Sequence, residues 1–329
     1  CLPLPNAVRS PPRQSLYSPT SSKLDRMATK RSQPLRGATK PRLQSIPLKG
    51  QTKLQDVKDL CEIIGMPLLP WQEYVLKDML TVDKQGQFIR KTSLLLIARQ
   101  NGKTHLARML ILAHLVKWNT DVLMMSSNRS MALDTFRQVA NLLENNDHLK
   151  GFVKQIRYAN GTESIEMLSG ARLDVVAATR DGSRGRSVNG LLFIDEVREI
   201  NEEAFRAATP TTRAHASSHT LLTSNAGDAF STVLNDLRER ALSYPPKTYG
   251  YYEYSAPQYC KINDKAAWAM ANPAMGYTIT AEAIEESIAT SPIETTRTDD
   301  WTLGQQNAEG KLSCEGHQHE TPHDQTHYQ

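Results

Sequence analysis

The stretch Leu94-Leu95-Leu96-Ile97-Ala98, followed by Arg99-Gln100-Asn101-Gly102-Lys103-Thr104, constrains the fold of this chain more than any other. The apolar run reads as a strand buried on both faces, and Gly-Lys-Thr then opens a helical pattern. Strand, glycine turn and helix in that order make a phosphate-binding loop, because turn N–H groups and the positive helix end face a common anion. In such a loop the turn at Gln100, Asn101 and Gly102 cradles phosphates. Lys103 reaches the β- and γ-phosphates, and the Thr104 hydroxyl ligates Mg2+. The usual leading glycine, five residues before Gly102, is replaced by Ile97.

About ninety residues downstream, Leu191-Leu192-Phe193-Ile194 is a second apolar strand ending in Asp195-Glu196. At the end of a buried parallel strand, Asp195 can hold Mg2+ through water while Glu196 activates the attacking water. Together the two segments predict ATP as the ligand and hydrolysis as the reaction. A strand merely ending in solvated acids explains the second segment but leaves the first unaccounted for.

Composition excludes several classes. No apolar run approaches the eighteen or so residues of a membrane span, so no membrane partner is expected. The N-terminus has no hydrophobic stretch of the signal-peptide kind. The four cysteines are scattered, without a CxxC pair, as in a reducing cytoplasm. Residues 1–53 carry eleven Lys/Arg and one acid, so the net charge of +4 leaves the remainder at about −6. A basic tail of this kind contacts phosphate backbones nonspecifically or stays solvated.

Residues 1–52 are expected to be a disordered basic tail. Met27-Ala28-Thr29-Lys30 reads as a translation start, which would put residues 1–26 outside the native protein. Apolar spacing predicts helices from Lys53 to Ile64, from Pro70, over 103–118 and from an Asn128 cap through Leu143. Short β runs follow at 152–158, 163–168 and 172–178, with turn signals at Asn160-Gly161 and Ser169-Gly170. Then come the 191–195 strand, a helix near 201–209, a strand at 219–224 and a helix near 229–242. This β/α alternation predicts an α/β fold: a P-loop NTPase-type, mostly parallel sheet flanked by helices, over residues 53–245. Residues 246–310, with a Tyr249–Ser255 strand, a 264–271 helix and a Thr280-capped helix, are expected to form a linker subdomain. Residues 311–329, rich in His, Gln and Thr, read as a disordered, aberrant C-terminus.

The assembled pieces resemble the large terminase subunit of tailed bacteriophages, the ATP-driven motor that packages DNA. Arg99-Gln100-Asn101-Gly102-Lys103-Thr104 is similar to that family's variant phosphate loop, and Leu191–Glu196 looks like its acidic strand. Pro70-Trp71-Gln72 resembles its adenine-contacting motif, Thr223-Ser224-Asn225-Ala226-Gly227 its coupling motif, and Ala271–Gly276 a segment after the ATPase domain. The resemblance covers roughly residues 54–310. It implies that Arg99 contacts the γ-phosphate or links it to neighbouring elements, and that Gln72 reads the adenine edge. It also implies that Thr223, Ser224 and Asn225 sense γ-phosphate. Double-stranded DNA, a small terminase subunit, a portal protein and a ring of identical subunits are the implied partners, in the cytoplasm of a bacterial host.

The family's nuclease domain is not recognisable in this sequence, so DNA cleavage is not expected of it, and truncation or a frameshift near 305–315 is inferred. The loop Arg180–Arg186 can direct an arginine toward a neighbouring subunit's ATP or toward DNA, or do neither. Two alternatives remain: another DNA-translocating, helicase-like P-loop ATPase, or an inactive prophage remnant.

Overall fold

Strands that are apolar on both faces need cover on both faces, and helices supply it here. The structure is a computed structural model that describes residues 35–159, 161–179, 182–183 and 185–292. Its strands are β1 (Leu43–Gln44), β2 (Thr92–Leu96), β3 (Asp121–Ser126), β4 (Val153–Arg157), β5 (Ser164–Met167), β6 (Arg172–Ala177), β7 (Gly190–Asp195), β8 (His219–Ser224) and β9 (Tyr249–Glu253). Its α-helices are α1 (Leu54–Ile64), α2 (Pro70–Met79), α3 (Lys103–Leu112), α4 (Arg129–Asn145), α5 (Glu202–Ala208), α6 (Thr232–Ser243), α7 (Lys265–Ala271) and α8 (Ala281–Thr290).

The nine strands form one sheet in the order β1-β9-β2-β8-β7-β3-β6-β5-β4. Neighbours from β9 to β6 are parallel, and antiparallel strands close both edges. Period-two alternation sorts the side chains between two cores. Leu95, Val122, Met124, Leu191 and Phe193 pack on one side with residues of α1 to α4. Leu94, Leu96, Leu123, Met125, Leu192 and Ile194 pack on the other with residues of α5 and α6. A third, small cluster holds Trp268, Met275 and Ile284. The α/β, mainly parallel architecture expected from the sequence is therefore the one observed.

Local signals placed the helix ends. Asn128 accepts the Ser130 N–H and Thr280 accepts the Ala283 N–H, so both caps form as read. Gly65 ends α1 in the left-handed region.

Two boundaries need correction. The expected disordered tail, residues 1–52, becomes structured within its own span: Arg42 N–H donates to Glu253 O and Ser45 N–H to Tyr251 O, so β1 extends the sheet. Side chains add to this. Arg42 and Arg238 both pair with the buried Glu253. The buried Arg90 bonds Asp78 and the carbonyls of Ile46, Lys247 and Tyr249, tying the 46–48 stretch down. The second correction is β9, assigned above to the linker, which lies inside the sheet beside β2. Residues 1–34 and 293–329, which include most of the expected basic tail and the segment expected to be an aberrant C-terminus, lie outside the described residues.

Beyond α3 the helix widens into a π turn, Ala113–Lys117. It turns His114 toward His219 at the start of β8, with their Nε2 atoms 2.9 Å apart and His114 Nδ1 2.8 Å from Thr120 Oγ1. Phe88 stacks on His219. Burial, with the nearby Lys91 and Lys53, lowers His219 to about 3. Burial, His219 and Lys53 hold His114 well below its ordinary value. Both rings are thus neutral in the fold but take up protons near pH 6.5 once unfolded. The stability they contribute is complete above pH 6.5 and is lost as pH falls below it. Urea unfolding from pH 7.5 to 5 should show falling stability, with a slope of up to ~1.4 kcal/mol per pH unit for each ring. Replacing both with Gln should flatten that slope.

Candidate active site

Three adjacent parallel strands set the geometry. β8 lies between β2 and β7, so the loop leaving β2, the acids ending β7 and the end of β8 meet at one edge. In open α/β sheets that carboxyl edge is where ligands bind.

The loop turns sharply at two left-handed residues, Gln100 (φ 61°) and Gly102 (φ 93°). Gly102 caps α3, and Lys103 begins it. A Cβ at Gly102 would lie 2.9 Å from Gln72 Nε2, so a side chain is excluded by both conformation and space.

Lys103 Nζ donates to Glu196 Oε1 at 2.9 Å and to Asn225 Oδ1 at 2.7 Å. Glu196 is itself left-handed (φ 52°), which swings the chain from β7 into the short 3-10 turn Val197–Glu199. Asp195 Oδ1 accepts from Thr223 Oγ1 at 2.5 Å and from the Glu196 N–H at 3.0 Å. Ser224 Oγ accepts the Arg198 N–H at 3.2 Å. Thr223, Ser224 and Asn225 are buried, so each of the three spends its polar group inside this cluster. Burial raises the Asp195 carboxyl above the ordinary aspartate value and Glu196 adds to the rise, with only partial offset from Lys103 and the hydrogen bonds. A buried carboxyl so placed favours a cation beside it. The buried Glu196 Oε2 accepts no hydrogen bond among the described residues.

No protein-family model matches the chain. It is 25% identical over 227 residues to the large terminase subunit of Enterobacteria phage HK97, spanning 65% of this chain and 43% of that protein. The chain thus spans less than half the length of this relative. The crystal structure of the HK97 large terminase superposes with a TM-score of 0.66 at 22% identity, over 77% of this chain and 56% of that one. The large terminase ATPase domain of Thermus phage P74-26 superposes at 0.53 and 13% identity, over 74% and 96%. The fold is that of a large terminase ATPase domain.

The terminase-like segments divide by where their side chains go. Lys103, Asp195, Glu196, Thr223, Ser224 and Asn225 form the cluster. Arg99 and Gln100 are exposed, and Thr104 is half-buried in the first turn of α3. Gln72 differs from the expected adenine reader. It is fully buried, its Oε1 accepting the Leu69 N–H at 2.8 Å and its Nε2 donating to Gly102 O at 2.9 Å. Asn101 is likewise spent inside the protein. Its Nδ2 donates to Asn272 Oδ1 at 2.9 Å and Arg99 O at 3.0 Å, and its Oδ1 accepts the Ala274 N–H at 3.0 Å. Two buried amides therefore fix the terminase-type loop from opposite sides, and the 271–276 segment is one of the anchors.

Arg198 was missed by sequence reasoning. Its Nε lies 3.4 Å from Glu196 Oε2 and 3.2 Å from Glu199 Oε1. Only the 3-10 turn brings it back over the acid, and no spacing rule announces that. With Asn201, Ala226, Asp228 and Phe230 it lines a cavity of about 380 Å³. A larger cavity, about 760 Å³, is lined by Ser183, Gly185, Arg186 and residues of α5 and includes none of the cluster. Arg180 and Arg184 of the arginine-rich loop lie outside the described residues.

Removing either amide strands buried partners. Asn101→Ala and Gln72→Ala should each lower unfolding free energy by ~1–3 kcal/mol in denaturant titrations. A loss below ~0.5 kcal/mol would mean that the loop holds its shape without them.

Proposed function

We propose that this chain is the ATPase part of a bacteriophage large terminase, hydrolysing ATP to drive double-stranded DNA into procapsids. The observation that carries the reading is the buried junction of Lys103, Glu196 and Asn225 where β2, β7 and β8 end together. Lys103 and Glu196 are the groups that ATP hydrolysis needs at this edge, one for phosphate charge and one for water. The similarity to the HK97 large terminase subunit supports the substrate and the motor role.

The N–H groups of Gly102, Lys103 and Thr104 at the start of α3 would face the phosphates, with Lys103 neutralising the β- and γ-phosphates. Thr104 and Asp195 would hold Mg2+, which when bound supplies charge neutralisation on the phosphates. The buried Asp195 carboxyl, raised above its ordinary value, fits that use. Glu196 orients and deprotonates the water. Arg99, exposed beside the loop, would meet the γ-phosphate. Asn225 already holds Lys103, and Thr223 already holds Asp195, so both would register the phosphate's arrival and loss. Gln72 acts by fixing Gly102. DNA contact would be to the phosphate backbone, since a motor must tolerate any sequence. A small subunit, a portal and a ring of copies are the proposed partners in the host cytoplasm. Among the described residues no helix is long and apolar enough to cross a membrane.

ATP turnover by the full chain should rise with linear double-stranded DNA. Glu196→Gln should reduce it ~10²–10⁴-fold, and Lys103→Ala should abolish it. DNA-independent turnover would favour an ATPase of another kind, and nucleotide binding without turnover would favour an inactive remnant.

Protonation of Asp195 would remove a metal ligand, so activity should be lost as pH falls far enough to protonate it. Because Mg2+ competes with that proton, higher Mg2+ should move the acid limb of the rate profile to lower pH. Asp195→Asn should remove the Mg2+ dependence of that limb.

A further inference from the structure

Glu196 is held at both oxygens, and by different cations. Its Oε1 takes the hydrogen bond from Lys103 at 2.9 Å. Its Oε2 faces Arg198 Nε at 3.4 Å, an ion pair rather than a hydrogen bond. Both side chains are largely buried, Glu196 at 11% exposure and Arg198 at 18%.

The two cations differ in what else they serve. Lys103 belongs to the phosphate loop, so phosphate competes for its ammonium. Arg198 is anchored on the β8 side: its backbone N–H donates to Ser224 Oγ at 3.2 Å, its Nη1 reaches Ala226 O at 3.5 Å, and its Nε also pairs with Glu199. A planar guanidinium fixed at several points holds a carboxylate in one orientation better than a flexible ammonium can.

We propose that Arg198 is the positioning residue for Glu196, an assignment that rests on the ATPase reading above. While Lys103 holds Glu196 Oε1, the acid cannot act as a base. When phosphate draws Lys103 away, Arg198 remains as the cation on Oε2. Oε1 is then exposed to water while the carboxylate keeps its place and its charge. In the reaction the water oxygen forms the new bond to the γ-phosphorus. The bond to the bridging oxygen breaks, and that oxygen leaves on ADP with the electron pair. The water proton passes to Glu196 Oε1. Because Arg198 also grips the end of β8, the orientation of the base is tied to the coupling segment 223–227.

The role predicts a split between turnover and binding. In the full chain, Arg198→Ala should lower kcat ~10–100-fold, as expected for a base displaced by about an ångström, with KM and affinity for a fluorescent ATP analogue within ~2-fold of wild type. Arg198→Lys, which keeps the charge but loses the planar grip, should recover part of the lost kcat. An Arg198→Ala variant with unchanged kcat, beside a Lys103→Ala control that is inactive, would overturn the role of Arg198 and leave the ATPase reading standing. Equal loss of turnover and nucleotide affinity in both Arg198 variants would also overturn it, indicating a merely structural clip. Nucleotide binding by wild type without any turnover would overturn both readings.

Discussion

A lysine and a glutamate buried together at 2.9 Å tolerate their burial because each neutralises the other. The rest of this edge is arranged around that pair. Lys103 must start a helix, Glu196 must end a strand, and the two lie 93 residues apart in sequence. They meet only because β8 is inserted between β2 and β7, which places the ends of three parallel strands side by side. The insertion also fixes which third element completes the site. Thr223 bonds Asp195, Asn225 bonds Lys103, and Ser224 accepts the N–H groups of Ile97 and Arg198.

The pair is also the reason the loop must be rigid. On the proposed ATPase reading, an ammonium shared between a carboxylate and an amide would serve a phosphate only if the loop stays in place when the lysine changes partners. Gln72 and Asn101 provide that, and they do so with side-chain amides because an amide can donate and accept at once. Gln72 reaches the loop from α2, while Asn101 reaches outward to Asn272 and Ala274. The small cluster around Trp268 and Met275 is thereby hydrogen-bonded to the loop itself. Any change in the loop has a direct mechanical path into that cluster, at a place where buried polar groups would be left unpaired by a poor fit.

Most of the architecture was legible because it is encoded locally. The apolar runs at 94–98, 121–126, 191–195 and 219–224, with the caps Asn128 and Thr280, place sheet and helices without reference to distant residues. What could not be read is non-local. Residues 35–52 look like a polar tail, yet Arg42 answers Glu253 from 211 residues away, and a chain segment with few apolar groups gives no sign of pairing through its backbone. Motif position marks Gln72 and Asn101 but does not reveal that their side-chain amides bond Leu69, Gly102, Asn272 and Ala274. Arg198 shows the same limit at short range, since its contact with Glu196 depends on a left-handed residue followed by a 3-10 turn.

Ile97 shows how the departure from the usual loop pattern is resolved. A glycine at this position normally lets the backbone turn early. Here the strand runs on instead: Ile97 is fully buried in the core, and its N–H still donates to Ser224 O at 3.1 Å. Ala98 is buried too. The turn is thus delayed by the length of those two residues and concentrated at Gln100 and Gly102, the two left-handed positions. A glycine at 97 would leave a void where the isoleucine packs and would gain nothing, because no positive φ is needed there. Asn101 lies inside the fold, where its amide ties the turn to Asn272 and Ala274. On this reading the variant loop and the 272–274 anchor are one device.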